Sequence, residues 1–230
     1  VTSSPYLLGA VIEHHLSECT KKILAGKVDC SLETINQLKK SLYVDNCVTS
    51  LDTLEEKEDF MKKARSIFLE ACFDLRGWEW TDTSLIDSTI TPVLGILWDR
   101  KSDVLKINPP NLDNFEGEVT RRSVLSASQK IFDPLGMCCP TSLVPRRIIQ
   151  ESWANGGTWD SPLSDKAKKT FLQWSSEVSA LSNIEIERWV KMSVSQSDIT
   201  LHTFCDASQH AYAAVCFLRV VVDGQVFVTL

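Results

Sequence analysis

Ser41-Leu42-Tyr43-Val44-Asp45-Asn46-Cys47-Val48-Thr49-Ser50 is the stretch from which the rest of the chain is read. A β-prone run meets Asp-Asn, and a second β-prone run follows at once. Both residues of Asp45-Asn46 tolerate positive φ, so a two-residue turn at that point predicts a tight β-hairpin. Such a turn lifts the Asp45 carboxylate to the exposed tip of a rigid element, a useful place for a metal-binding carboxylate. Asp and Asn also dominate turns that only reverse the chain, so an ordinary surface hairpin stays open at this stage.

Helices flank the hairpin. Upstream, Ser4-Pro5 reads as a cap followed by proline at the first helical position, with Tyr6, Leu7, Ala10, Val11 and His14 at helical spacing over residues 4–18. The adjacent pair His14-His15 points to different sides of a helix, which argues against a shared metal. A short helix is expected between Lys21 and Lys40, after a loop at Gly26 to Cys30. Downstream, Asp52-Thr53-Leu54-Glu55 has capping-box spacing. The stripe Phe60, Met61, Ala64, Ile67, Phe68, Ala71 predicts an amphipathic helix from about Leu54 to Phe73, with Glu55, Glu56, Glu58 and Asp59 suited to the positive end of its dipole.

Phe73 to Trp80 reads as a strand and turn. A second hairpin is expected from Thr91 to Trp98, a polar turn at Asp99 to Asp103, and Val104 to Ile107. Asp87-Ser88-Thr89 lacks the glycine that an aspartic-protease triplet needs. Three helices should follow. The first is capped by Thr120, carries Val124, Leu125, Ile131 and Phe132, and stops at Asp133-Pro134-Leu135-Gly136. The second runs from about Ser142 to Trp153 with Pro145 in its first turn, and the third starts near Ser164 with Phe171, Trp174, Val178 and Leu181 facing one way. From Thr200 the apolar period changes to two. Leu201 to Asp206, Ala211 to Arg219 and Gln225 to Thr229 predict an antiparallel meander with Asp206 near the end of its first strand.

The 230 residues are 43% hydrophobic and 23% charged, enough for one large core or two small ones. No run approaches the roughly 20 apolar residues of a membrane span. The opening Val1-Thr2-Ser3-Ser4-Pro5 has no signal-peptide pattern, and both ends read as cut from something longer. Eight scattered cysteines, without a C-x-x-C pair, predict neither a zinc site nor a disulfide framework; mostly buried thiols would suit a reducing compartment. The net charge of -6 argues against nucleic-acid binding by the whole surface. Residues 117–170, however, hold eight Lys/Arg against five Asp/Glu. Such a segment could meet a phosphate backbone or be a plain solvated helical surface. The tryptophans at 153, 159, 174 and 189 could stack on bases or anchor the packing between helices.

Taken in order, these motifs resemble the Pao (BEL/Pao) group of retrotransposon polyproteins, from the back half of the reverse-transcriptase palm through thumb and connection into ribonuclease H. Thr2-Ser3-Ser4-Pro5-Tyr6-Leu7-Leu8 is similar to the palm segment below the templating base pair. Tyr43-Val44-Asp45-Asn46 is similar to the Tyr-x-Asp-Asp box. Leu94-Gly95-Ile96-Leu97-Trp98-Asp99 resembles the hairpin that grips the primer end. Thr120-Arg121-Arg122-Ser123-Val124-Leu125 through Ile131-Phe132-Asp133-Pro134-Leu135-Gly136 is the most family-specific run. Phe204-Cys205-Asp206-Ala207-Ser208, with Ala211-Tyr212-Ala213-Ala214-Val215, resembles the first ribonuclease H hairpin. The family label also covers a retrotransposon peptidase, for which no triplet is found here.

The resemblance implies an α+β fold in three parts: residues 1–115 as palm with the primer-grip-like hairpin, 116–195 as helical thumb and connection, and 196–230 as the first strands of a ribonuclease H-like mixed sheet. It implies RNA-directed DNA synthesis and cleavage of RNA in hybrids, each on two Mg²⁺ ions roughly 3.5–4 Å apart held by hard oxygen ligands. Asp45 and Asp206 match one carboxylate of each site. Asn46 replaces the second acid of the box; as a candidate metal ligand its amide oxygen can coordinate but brings no charge. Tyr43, Ser4, Pro5 and Gly95 would lie along the nucleic acid, and Arg121, Arg122 and Lys130 would contact phosphates. The implied partners are an RNA template, a DNA primer, an RNA–DNA hybrid and the rest of the polyprotein, with no membrane. The implied setting is a cytoplasmic virus-like particle or the nucleus. Each metal site is incomplete within these residues, so the chain alone is expected to be inactive. A non-catalytic nucleic-acid-binding or interaction module derived from a decayed element is the alternative.

Overall fold

The computed structural model describes residues 3–26, 31–113, 115, 117–190 and 198–230. The chain is α+β, its strands grouped in small antiparallel sheets, and it divides into two units, Val1–Glu79 and Trp80–Leu230. The divisions expected at 115/116 and 195/196 touch residues outside the described ones, as do Thr2 of the first motif and most of the loop expected at 26–30.

The first unit is three helices and a short hairpin. Helix α1, Ser4–Leu24, has Pro5 in its first turn, but the cap position is Ser3, whose side chain makes no capping bond. It runs past the expected end at 18 because Lys21 and Lys22 suit the negative end of the dipole, and Gly26 (φ 65) supplies the left-handed stop. Helix α2, Leu32–Ser41, is capped by Ser31. Helix α3, Leu54–Leu69, is capped by Thr53, not Asp52; its hydroxyl accepts from the Glu56 N–H, and the Glu56 carboxylate accepts from the Asp52 N–H. The better S/T-x-x-E box therefore lies one residue along. Cys72 at φ 61 ends the helical path before Phe73. Leu16, Ile35, Leu38, Ala64 and Phe68 meet in the core at 0–2% exposure. Burying an aliphatic or phenyl side chain contributes about 1.5–3 kcal/mol.

Strands β1 (Leu42–Tyr43) and β2 (Asn46–Cys47) pair Leu42 with Cys47 and Tyr43 with Asn46. The turn residues are thus Val44 and Asp45, a shift of one from the expected Asp45-Asn46. Leu42 and Cys47 pack against the helical core, and a period-two strand cannot slip by one without turning those side chains outward. The strand expected at Phe73 to Trp80 does not form.

In the second unit β3 (Ile90–Val93), β4 (Ile96–Asp99), β5 (Val104–Lys106) and β6 (Glu185–Glu187) make one sheet in that order. The single strand expected from Thr91 to Trp98 is broken by Leu94 (φ 50) and Gly95 (φ 85), the positive pair a tight hairpin requires. Sequence reading did not foresee β6. It is held by Arg188, whose guanidinium donates twice to Asp103 (2.7 and 2.8 Å).

Three helices pack around a core that also takes in Ile107 and Ile184, the residues flanking β5 and β6. Helix α4, Arg121–Ser128, opens with a reciprocal box between Thr120 and Ser123. It ends before Ile131, and the Asp133 carboxylate accepts from the N–H groups of Met137 and Cys138 at the approach to α5, Cys139–Ser152. Pro140, not Pro145, lies in the first turn of α5. Pro145 deprives the Thr141 carbonyl of its i+4 donor, and the Trp174 indole N–H takes that place at 2.9 Å. Trp174 belongs to α6, Asp165–Glu177, capped by Ser164, and joins Val124, Phe171 and Val178 in the core. Strands β7 (Asp198–Ala207), β8 (Tyr212–Val222) and β9 (Gln225–Thr229) form the expected meander, antiparallel throughout. Cys205 and Cys216 are exposed on it, as are Cys72 and Cys139 elsewhere, against the expectation of mostly buried thiols. Among the described residues no helix is long and apolar enough to cross a membrane.

Candidate functional site

Asp45 stands exposed at the tip of the β1–β2 hairpin, and its Oδ1 accepts from the Asn46 side-chain amide at 3.2 Å. The preceding residue carries the strain: Val44 has φ 56, a left-handed conformation that costs a β-branched residue about 1–2 kcal/mol. Val44 and Leu42 line a shallow cavity of about 130 Å³ with Gly9, Ile12 and Leu16 of α1. At its edge the Lys39 ammonium donates to Glu13 (2.9 Å) and holds that carboxyl below its ordinary range. Tyr43 is 63% exposed beside the tip. Ser4 and Pro5 are exposed at the start of α1, with no hydrogen bond to the tip among the described residues.

Asp206 is the penultimate residue of β7, exposed, opposite Ala213, with its Oδ1 accepting from the Ala207 N–H (2.9 Å). It shares a sheet face with Phe204, which meets Phe217 edge to face at 6.0 Å. Asp45 and Asp206 lie in different sheets and different units. Among the described residues no group of three or more His, Cys, Asp or Glu could hold a metal ion. Among the described residues, no further acid joins Asp45 and Asn46, or Asp206, in such a group.

Gly95 turns the β3–β4 hairpin against Phe132: a Cβ there would lie 2.5 Å from Phe132 Cε1. The three basic residues separate. Arg121 is 2% exposed. Its guanidinium donates to the Ser152 hydroxyl (2.8 Å) and to the carbonyls of Ser152, Gly156 and Thr158, and lies 4.1 Å from the Trp153 ring centroid. All its donors point inward, so the expected phosphate contact is corrected to a structural role. Arg122 is exposed and forks onto Asp160 (2.6 and 3.0 Å). Lys130 is exposed; its backbone N–H donates to the Ala127 carbonyl (3.2 Å), and its ammonium makes no hydrogen bond or ion pair among the described residues.

Sequence reasoning missed Asp99 as a determinant of the second unit. Its side chain is buried and accepts from the Ser88 hydroxyl (2.7 Å) and the N–H groups of Lys101 and Ser102, with Lys106 at 3.6 Å. The Ser88 bond leads the causes that hold its carboxyl down to about 2. The signal was an acid at a strand end followed by a polar turn, a pattern that also fits a solvated turn.

The resemblance drawn from the motifs meets independent support over the C-terminal part. No curated protein and no solved structure matches the chain. Residues 120–230 match the family model described as the Pao retrotransposon-like RNaseH-like domain. The matched span opens at the capping Thr120 and takes in the helices assigned to thumb and connection as well as the meander. Residues 120–230 are therefore similar to the RNase H-like part of a Pao retrotransposon protein.

Proposed function

We propose that this chain is a piece of the polymerase region of a Pao-type retrotransposon polyprotein, spanning part of a reverse transcriptase and the start of its ribonuclease H. The observation that carries the reading is Asp206, exposed near the end of the first strand of an antiparallel meander that lies inside the matched span. In this reading Asp45 and Asp206 each give one carboxylate to a Mg²⁺ site whose other ligands come from residues outside this chain. The ions would supply charge neutralisation at the reacting phosphate. The nucleic-acid partners are an RNA template, a DNA primer and their hybrid. Arg122 and Lys130 remain the phosphate contacts; Tyr43, Ser4 and Pro5 in the first unit, and Gly95 in the second, are each nucleic-acid contacts in this reading. Packaging in a cytoplasmic particle, or nuclear delivery, belongs to the same reading.

Asn46 and the lack of a three-residue metal cluster among the described residues favour a second reading, a non-catalytic nucleic-acid-binding module. Both readings require binding to a hybrid, and they part on catalysis. Anisotropy of a labelled 18-base-pair RNA–DNA hybrid should show binding by the 230 residues that weakens with salt. Primer-extension and hybrid-cleavage assays with Mg²⁺ should give no robust product. No hybrid binding at all defeats both readings. Robust turnover by the chain alone defeats the division of each metal site between this chain and others. Restoration of cleavage in a longer polyprotein, and its loss on Asp206→Asn, selects the first reading.

A further inference from the structure

Two indoles stand at the surface of the second unit with no assigned task. Trp153 is 42% exposed and Trp159 is 38% exposed. Their centroids are 5.4 Å apart with planes at 85°. The bend between them is rigid for a reason already described: Arg121 ties down the carbonyls of Ser152, Gly156 and Thr158 and occupies one face of Trp153. Gly156 (φ 69) and Gly157 (φ 87) supply the left-handed steps of the bend, and a Cβ on Gly157 would come within 3.1 Å of the Ser161 hydroxyl. A buried arginine that fixes an exposed aromatic bend lowers the ordering cost of whatever docks there.

The neighbouring charge indicates the ligand class. The Arg122 N–H donates to the Trp159 carbonyl at 3.1 Å, so guanidinium and indole leave adjacent points of the backbone. The ion pair of Arg122 with Asp160 leaves the two side chains 66% and 65% exposed. Such a pair has little net strength, and its guanidinium can exchange the carboxylate for a phosphate, which it also binds bidentately. A π face beside an exchangeable guanidinium suits a single strand, whose bases stack while its backbone is neutralised. A proline-rich peptide would use the indoles but has no anion for Arg122.

We propose that Trp159, walled by Trp153, is a stacking ledge for an unpaired nucleotide segment, with Arg122 as its phosphate contact. The ledge rests on the nucleic-acid reading above. It assigns the two indoles to single strands and gives Arg122 a second phosphate to meet there, whereas that reading concerns the hybrid.

The test is anisotropy of fluorescein-labelled dT15 with the full 230 residues at low salt, with the 18-base-pair hybrid in parallel. Trp159→Ala should weaken dT15 binding about 5- to 150-fold, the range for one lost base–aromatic stack. Trp159→Phe should retain most of the binding, and Arg122→Ala should reduce its salt dependence. Trp189→Ala, at another exposed indole (53%), should change nothing. Hybrid binding should change less than about twofold in Trp159→Ala. Trp159→Leu, which keeps apolar bulk without an aromatic face, stands in if the alanine variant melts early. Unchanged dT15 binding in Trp159→Ala or Trp159→Leu overturns the ledge, as does wild-type binding of the hybrid but not of dT15; both leave the hybrid reading intact. Failure to bind either probe overturns both. A proline-rich peptide that binds in a Trp159-dependent way while dT15 does not also overturns it.

Discussion

Arg121→Ala is expected to destabilise the Trp80–Leu230 unit by about 3–5 kcal/mol, a large part of the 5–15 kcal/mol that holds a typical domain together. The guanidinium has four acceptors: the Ser152 hydroxyl and the carbonyls of Ser152, Gly156 and Thr158. They are not equal. Gly156 and Thr158 are exposed, so water replaces the lost donor there. Ser152 is 8% exposed, and its two acceptors would be stranded at about 1–3 kcal/mol each. Loss of the cation over Trp153 adds about 1–2 kcal/mol. Against these stands relief from burying a charge that has no carboxylate partner among its hydrogen bonds. Arg122→Ala, which removes a pair with both side chains two-thirds exposed, should cost less than about 1 kcal/mol. Arg121→Lys should recover less than half of the loss, because an ammonium cannot reproduce the planar fork. Urea denaturation followed by tryptophan fluorescence measures all three, provided the m-values stay constant. If Arg121→Ala lies within 1 kcal/mol of wild type, or Arg122→Ala costs as much, the assignment of Arg121 to the scaffold is wrong.

Other substitutions probe the same framework. Trp174→Phe should cost about 1–3 kcal/mol by orphaning the Thr141 carbonyl, and Pro145→Ala should restore part of it by returning an i+4 donor; urea midpoints that show no such rescue would break the link between proline and indole. Gly95→Ala should cost about 1–3 kcal/mol through the Phe132 clash and the positive φ, and Phe132→Ala should soften it; a strictly additive double-mutant cycle would remove Phe132 as the reason for glycine. Asp99 has its carboxyl lowered from 3.8 to about 2, so its stabilisation is present above pH 4 and lost as pH falls through 2. The stability gap between wild type and Asp99→Asn should therefore narrow by roughly 2 kcal/mol between pH 5 and pH 2, and a constant gap in urea titrations counts against it. Asp45→Asn and Asp206→Asn should each shift stability by less than about 0.5 kcal/mol, since both carboxylates are exposed and neither is ion-paired among the described residues; a loss above about 1.5 kcal/mol would make them structural acids.

Patterns that follow from local chemistry were legible in the sequence. Thr120 and Ser164 cap helices because their hydroxyls reach the third N–H along, and the switch to period two after Thr200 produced the meander. What sequence could not supply was set at long range. The hairpin turn moved to Val44-Asp45 because Leu42 and Cys47 face a core built by three helices. Strand β6 exists because Glu185–Glu187 meets a partner about eighty residues earlier in the chain, a pairing that three residues cannot announce. Pro145 sits a turn deeper than expected because a distant indole compensates for its missing donor. Of the candidate site, the exposure of Asp45 at a turn and the place of Asp206 near a strand end were legible. The separation of Arg121 from Arg122 was not.

That separation changes what the Thr120-Arg121-Arg122-Ser123 run means. Adjacent arginines on a helix point about 100° apart, so a helix that packs on a core can turn one of such a pair inward while the other stays outside. Here the inward residue is Arg121. Two of its acceptors, the carbonyls of Gly156 and Thr158, belong to the glycine-rich bend, where Gly156 and Gly157 have positive φ, and the other two are on Ser152 at the end of α5. Thr120 and Ser123 cap each other, and the Leu163 N–H donates to the Val119 carbonyl just upstream. Three of the four residues in the run are thus occupied in building the junction between α4 and the bend after α5. A basic pair in this position is evidence first for that junction. Only Arg122 remains to be counted toward phosphate binding, and its place beside Trp159 follows from the bend that Arg121 holds.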